Sequence, residues 1–461
     1  MRAFIDKVFV HSLILFILAY FISTIWTEVI FLHAMSAAGF IMLISILIVM
    51  PKRVLVLPIL LISFSIAIVW LTSSPLGILW SGLREMSSII PLVILITLIS
   101  WIISHRPYVK ALLSRGQNRI HTPIRFYTFT VAISHFISSF MTVGGIVFTF
   151  QMFQNLKRTE TSNQAWDFTL STAIMRGFTL TVLWTAVHPA FAYVIAGTNA
   201  PLIPTVLKGL GLALIGLVLA IFIFKFQMNQ RKINVDVVPD FKNDMNERLD
   251  GLVWKFLIWV ALLMGGIYTF NQGLDVNILL AVPVVIMVVT TLYFVCNRAL
   301  AEYKQRWWRL MTVDLGNKKK EMILILSAGL LVGALKETGY GEVLFGYFLT
   351  GIDWLNLNVL IGLTFVVILL GFCGFPPIPA MVLLSGILMG IPGGYSTDLV
   401  ALSLLLGVAV TLVIAPVTVP LLLISSQNKR SLAENGFRWN IVFGVSLLIV
   451  GIVYIQVLTL F

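Results

Sequence analysis

Long apolar runs alternate with short basic segments along the whole chain. About 20 apolar residues are needed to cross a membrane as a helix, and on that measure the runs predict full spans near 8–26, 29–50, 54–72, 88–104, 203–224, 254–271, 276–297, 321–337 and 438–460. Two further segments, 167–196 and 399–425, are long enough to cross but carry prolines at their centres, which predicts broken spans. The stretches 124–154 and 357–391 are also apolar and interrupted. Each is too short for two crossings and too long for one, so each predicts a re-entrant hairpin, the alternative being one long helix with a proline kink. An amphipathic stretch precedes each hairpin, RPYVKALLSRGQNRI at 106–120 and YGEVLFGYFLTGI at 340–352. These predict interfacial helices, or arms linking a fixed part of the molecule to a moving one.

Composition turns this pattern into a fold class. Apolar residues make up 59% of the chain and charged residues 11%, which excludes a soluble domain and predicts an all-α polytopic membrane protein, with about 11 transmembrane helices and two re-entrant hairpins. The first apolar run, MRAFIDKVFVHSLILFILAYFISTIW, is longer than a signal sequence and is expected to stay as the first helix. The formal charge of +12 lies in short loops rather than in one patch, which argues against nucleic acid as a partner. With both hairpins re-entrant, the loops 1–7, 51–53, 105–125, 155–166, 225–255, 298–320 and 426–438 share one side and hold nearly all of the 31 Lys and Arg. Arg84, Lys208 and Lys336 fall on the other side. That asymmetry predicts a cytoplasmic-membrane protein with its N-terminus inside and its C-terminus outside.

Catalytic signatures are missing from the chain. Cys296 and Cys373 are its two cysteines, so neither a disulfide framework nor a CxxC metal site is expected. No Walker A, HExxH or GxSxG sequence occurs, and the glycines of GLGLALIG from Gly209 sit inside a predicted span, where helix packing explains them. No enzyme activity, metal or organic cofactor is expected.

The organisation repeats. After an N-terminal helix (1–28), residues 29–224 read as spans, amphipathic stretch, hairpin, broken span, span; a polar linker follows (225–253), and 254–461 read the same way. An odd number of crossings per unit predicts that the second copy is inverted. In the hairpins SHFISSFM from Ser134 takes the place of LGFCGFPP from Leu370; in the broken spans GFTLTVLWTAVHPAFAYVIA parallels GVAVTLVIAPVTVPLLLISS, matching Gly177 and Thr181 with Gly407 and Thr411.

Irregular backbone at membrane depth survives where protein covers it or a cavity lines it, so the interruptions are the candidate substrate site. The first tip carries Ser138, Ser139, Thr142, Gly144 and Gly145; the second carries Gly371, Gly374, Pro376, Pro377 and Pro379. Pro189 breaks the first span beside Thr185 and His188, and Pro416 and Pro420 break the second beside Thr418. Half-helix N-termini favour anions, and freed carbonyls suit a cation, so sodium is the candidate coupling ion. Arg176 is the one deep charge, read either as a partner for a substrate anion or as a structural donor to carbonyls or a lipid headgroup. His188, and after it His135, are candidate proton carriers.

Two inverted units, each with a hairpin and a broken span, resemble the ion transporter superfamily, which includes divalent-anion/sodium symporters, arsenite permease-like proteins and sodium/proton antiporters. The similarity covers nearly all of the chain after the first helix. It implies a homodimer working by an elevator motion, with substrate between hairpin tips and broken spans. Symporters of that superfamily carry Ser-Asn-Thr motifs at the tips; here the tips read SSFMTVGG and GFPPIPA. The expected function is secondary transport of a small anionic or organic-acid solute, coupled to sodium or protons. The alternatives are an arsenite- or antiporter-like exporter and a flippase for an anionic lipid such as a polyprenyl phosphate.

Overall fold

Backbone N–H and C=O groups find no partner in lipid, so a chain this apolar must satisfy them within its own segments, and it does so as helices. The computed structural model describes residues 2–70, 72–108, 111, 122–157, 162–231, 233, 249–375, 381, 384, 394–416 and 418–460. Among them the protein is an all-α polytopic membrane protein. Among the described residues, eight helices are long and apolar enough to cross a membrane, or nine if the bent pair Leu300–Thr338 and Tyr340–Trp354 counts as one span. Two of the eleven expected spans fall outside that count: the run near 88–104 is a shorter apolar helix with a turn at 96–97, and the 167–196 segment is broken, as expected. The run near 88–104 becomes Ile89–Leu95 and Leu98–His105, and the 167–196 segment becomes Asn163–Thr179, a 3-10 turn Leu180–Leu183, and Pro189–Thr198.

The chain divides into two compact units. The first includes Met1–Leu95 and Thr291–Val359. Arg2–Ser23 packs on Val29–Val49, and Lys319–Thr338 packs on Lys52–Val69 and Pro75–Gly82. Small residues permit the last contact: a Cβ at Gly333 would lie 2.8 Å from the Cα of Gly82, and one at Gly329 would lie 2.9 Å from the Gly82 carbonyl. Gly339, at φ +74°, ends Lys319–Thr338, and Tyr340–Trp354 leaves at 89° with Tyr347 and Trp354 exposed. The earlier amphipathic stretch, 106–120, lies largely outside the described residues.

The second unit holds Ile96–Thr290, Gly393–Phe461 and the helix Val359–Phe372 from Leu360 onward. Its centre is a pair of interrupted helices. The first runs Asn163–Thr179 and resumes at Pro189–Thr198; the second runs Thr397–Ile414 and resumes at Val419–Asn428. The two cross where the Thr179 hydroxyl donates to the Ala409 carbonyl at 2.5 Å. Around the crossing the contacts come in matched sets. Pro189–Thr198 packs on Thr397–Ile414, as Val419–Asn428 packs on Asn163–Thr179. Leu202–Arg231 and Trp439–Leu458, the spans that follow each interrupted helix, each pack on the first half of the other one.

Candidate functional site

Each interruption is built from a proline and a side chain that satisfies a freed backbone group. In the second, Ala415 turns to an extended conformation (ψ 143°), Pro416 is exposed, and helix resumes with Thr418 at its N-cap and Pro420 in its first turn. A continuous helix would satisfy the Leu412 carbonyl with the N–H of residue 416, which proline lacks. The Thr418 hydroxyl donates to that carbonyl instead, at 3.3 Å. In the first, Trp184–His188 leave the helix, and Pro189 occupies the first helical position of Pro189–Thr198, where its missing N–H does no harm. His188 is the N-cap and its Nδ1 accepts from the Ala190 N–H at 3.3 Å. Thr185 donates its hydroxyl back to the Thr181 carbonyl. Both resumed helices end in left-handed residues, Asn199 (φ 50°) and Lys429 (φ 60°).

The first hairpin pairs Pro123–Met141 with Gly144–Phe153. Thr142 makes the turn at φ 48°, an unusual conformation for a β-branched residue. The arms close tightly at Gly145, where a Cβ would lie 2.5 Å from Ser138 Oγ, whereas Gly144 faces open space. Ser139 donates to the His135 carbonyl at 2.8 Å. Ser138 Oγ is buried with no hydrogen-bond partner among the described residues, so a polar atom stands unused at the tip. In the segment expected to form the second hairpin, the helix Val359–Phe372 gives way to Gly374 at φ 89°. Pro376, Pro377 and Pro379 lie outside the described residues.

The helices Pro123–Met141 and Val359–Phe372 each lean on an interrupted helix at a glycine. A Cβ at Gly177 would lie 2.6 Å from the Val131 carbonyl and 3.0 Å from Ser134 Cβ; one at Gly407 would lie 2.7 Å from the Thr364 carbonyl and 2.7 Å from Val367 Cβ. A side-chain hydroxyl reinforces each contact, Ser134 to the Ile174 carbonyl at 3.0 Å and Thr364 to the Ser403 carbonyl at 2.9 Å. These contacts correct the hairpin register. Ser134 corresponds to Val367 and Val131 to Thr364, one helical turn from the pairing of Ser134 with Leu370.

His135 and Arg176 are committed to the protein. His135 Nδ1 bonds the Gly177 carbonyl at 2.9 Å, and its Nε2 accepts from Trp184 Nε1 at 3.1 Å, which fixes the neutral tautomer with hydrogen on Nδ1. Arg176 is fully buried. Its Nε donates to Asn440 Oδ1 at 2.9 Å, Nη1 to the Tyr127 hydroxyl at 3.1 Å and the Ala220 carbonyl at 3.4 Å, and Nη2 to Gln227 Oε1 at 2.9 Å and the Trp439 carbonyl at 3.1 Å. A guanidinium has five N–H donors, and all are used. The reading of Arg176 as a contact partner for a substrate anion is therefore replaced by its structural alternative.

Several polar residues escaped the sequence reading. Asn428 Nδ2 donates to Ser171 Oγ at 2.8 Å and Asn435 Oδ1 at 2.7 Å, and Asn440 Nδ2 donates to the Asn435 carbonyl at 2.7 Å, which extends the Arg176 network across the unit. Asn440, inside an apolar run, was the readable signal. Two ion pairs tie the start of each interrupted helix to a basic residue just beyond the other: Asp167 with Arg430 at 2.9 Å and Asp398 with Lys208 at 2.5 Å. Every described candidate site residue belongs to this unit.

No family model and no curated protein matches the sequence. Solved structures do match the fold. The YdaH transporter of Alcanivorax borkumensis aligns with a TM-score of 0.52 over 84% of this chain and 87% of its own, at 13% identity. MtrF of Neisseria gonorrhoeae, which represents a class of antimetabolite efflux pumps, aligns with a TM-score of 0.53 over 84% of each chain, at 14% identity. The chain therefore has a membrane transporter fold.

Proposed function

We propose that this protein is a secondary active transporter of the ion transporter superfamily type, moving a small anionic or organic-acid solute across the cytoplasmic membrane by an elevator motion of homodimeric protomers. Sodium or protons drive it, and the N-terminus is inside. The crossing of two interrupted helices at Thr179 and Ala409 carries the reading. In the broken-span alignment these two residues are equivalent, so a hydrogen bond between them is what a pseudo-two-fold axis through the crossing produces. Equivalent N-caps at His188 and Thr418, and equivalent left-handed ends at Asn199 and Lys429, support the same axis. An inverted pair of this kind holds interrupted backbone and helix N-termini at the centre of one unit, the arrangement that binds small polar solutes in membranes. Export rather than uptake is the second reading, favoured by the fold shared with an antimetabolite efflux pump.

Ligand-dependent stability tests the substrate class. Purified protein is heated with carboxylates, oxyanions or a polyprenyl phosphate, in sodium and in choline buffer, at two pH values, and hits are assayed for gradient-driven flux in proteoliposomes. A soluble anion that raises the melting temperature and crosses the membrane is the expected result. Stabilisation by the polyprenyl phosphate alone would replace the solute reading with the flippase.

A further inference from the structure

We propose that the buried Arg176 guanidinium, which no carboxylate neutralises among the described residues, selects for anions through its field and favours the more highly charged ligand, although it touches none. This rests on the anionic-solute reading above. All five acceptors around Arg176 are neutral: two carboxamides, a phenol and two backbone carbonyls. Aromatic faces cover part of the remainder, with the guanidinium carbon 6.0 Å from the Tyr127 ring centroid and 5.3 Å from that of Phe443. Among the described residues, the other full charge that acts on it is Arg231, a second cation, whose guanidinium lies 4.8 Å from the Phe168 ring centroid. Asp167, the acid on the same helix, is held by Arg430.

Neutral dipoles stabilise a cation without cancelling its charge, so a net positive charge remains inside the unit. Burying it is costly, and an apolar residue would pack there without that cost. Charges inside membrane segments are retained where function uses them. Arg176 lies nine residues before Thr185 at the first interruption, through the end of an α-helix and a 3-10 turn, on the order of 15 Å at about 1.5–2.0 Å per residue. At an effective dielectric constant of about 20, a unit charge at that distance changes affinity about five- to tenfold for each unit of ligand charge. Salt screens it weakly, because the path between runs through protein.

Gln227→Glu separates the field from the fold. Gln227 Oε1 already accepts from Arg176 Nη2 at 2.9 Å, so the carboxylate keeps the bond, has nearly the same shape and neutralises the charge. Binding of succinate, a dianion, and monomethyl succinate, a monoanion, is measured by titration calorimetry alongside the melting temperature. The expected result is a five- to tenfold fall in the ratio of dianion to monoanion affinity, with the melting temperature held or raised. Gln227→Met, which removes the bond and adds no charge, should lower the melting temperature and leave the ratio alone. If Gln227→Glu does not fold, Asn440→Asp places the carboxylate on the Nε bond instead. An unchanged ratio in a folded carboxylate variant overturns the field. Wild-type protein that binds neither succinate nor its monoester, and no anion in the stability screen, removes the anionic-solute reading itself.

Discussion

At the scale of single residues, membrane depth gives a charged side chain two possible roles, and the partners decide between them. Arg176 was legible as the one deep charge, because a cation inside an apolar run stands out. Its partners were not, since Tyr127, Gln227 and Asn440 lie on three other helices, and no local spacing brings them together. Arg176→Lys keeps the charge and loses the planar fork, leaving at least two buried acceptors unpaired. The expected cost is about 2–4 kcal/mol of stability, read as a lower melting temperature. Ligand affinity per folded molecule should stay within about twofold, because the field survives. A collapse in affinity at unchanged stability would return Arg176 to direct contact with the substrate.

At the scale of elements, proline marks where a helix must stop, and the prolines at 189, 416 and 420 are visible in the sequence for that reason. The repair is less visible, because Thr418 reads equally well as a ligand donor and as a substitute for a missing N–H. The structure gives it the second task, on the Leu412 carbonyl. Thr418→Val should therefore destabilise the protein by about 1–2 kcal/mol, the penalty for an unsatisfied buried acceptor. In Pro416→Ala the N–H returns, so the double variant should lose less than the sum of the singles. Thermal unfolding of the four proteins in one detergent decides this, and strict additivity would show that the Thr418 hydroxyl does not compensate for Pro416. The hairpin tips were legible only in part. Apolar runs with a central interruption announce a turn, but Thr142 carries the left-handed backbone where glycine is the usual choice.

For the molecule as a whole, hydropathy and the spread of basic residues give the fold class, because lipid imposes helices and loop charge orients them. The expected inversion is harder to read. At the residue level the halves share little beyond Gly177, Thr181, Gly407 and Thr411, since matching contacts need small residues only where backbones touch. The two ion pairs express the same logic at the ends of the crossing, and an inverted pair of halves must place them on opposite faces of the membrane. Asn199 and Lys429, both exposed at the ends of resumed helices, are markers for those faces. With Cys296 and Cys373 replaced by serine, Asn199→Cys and Lys429→Cys are each made singly and treated in intact cells with a membrane-impermeant maleimide. Asn199→Cys should label from outside, and Lys429→Cys only after the cells are opened. The same order should hold whichever solute is present, because it reports topology rather than transport. Labelling of both from one side would mean that the halves run parallel, and the pseudo-two-fold axis through Thr179 and Ala409 would then be an accident of packing rather than the centre of an inverted repeat.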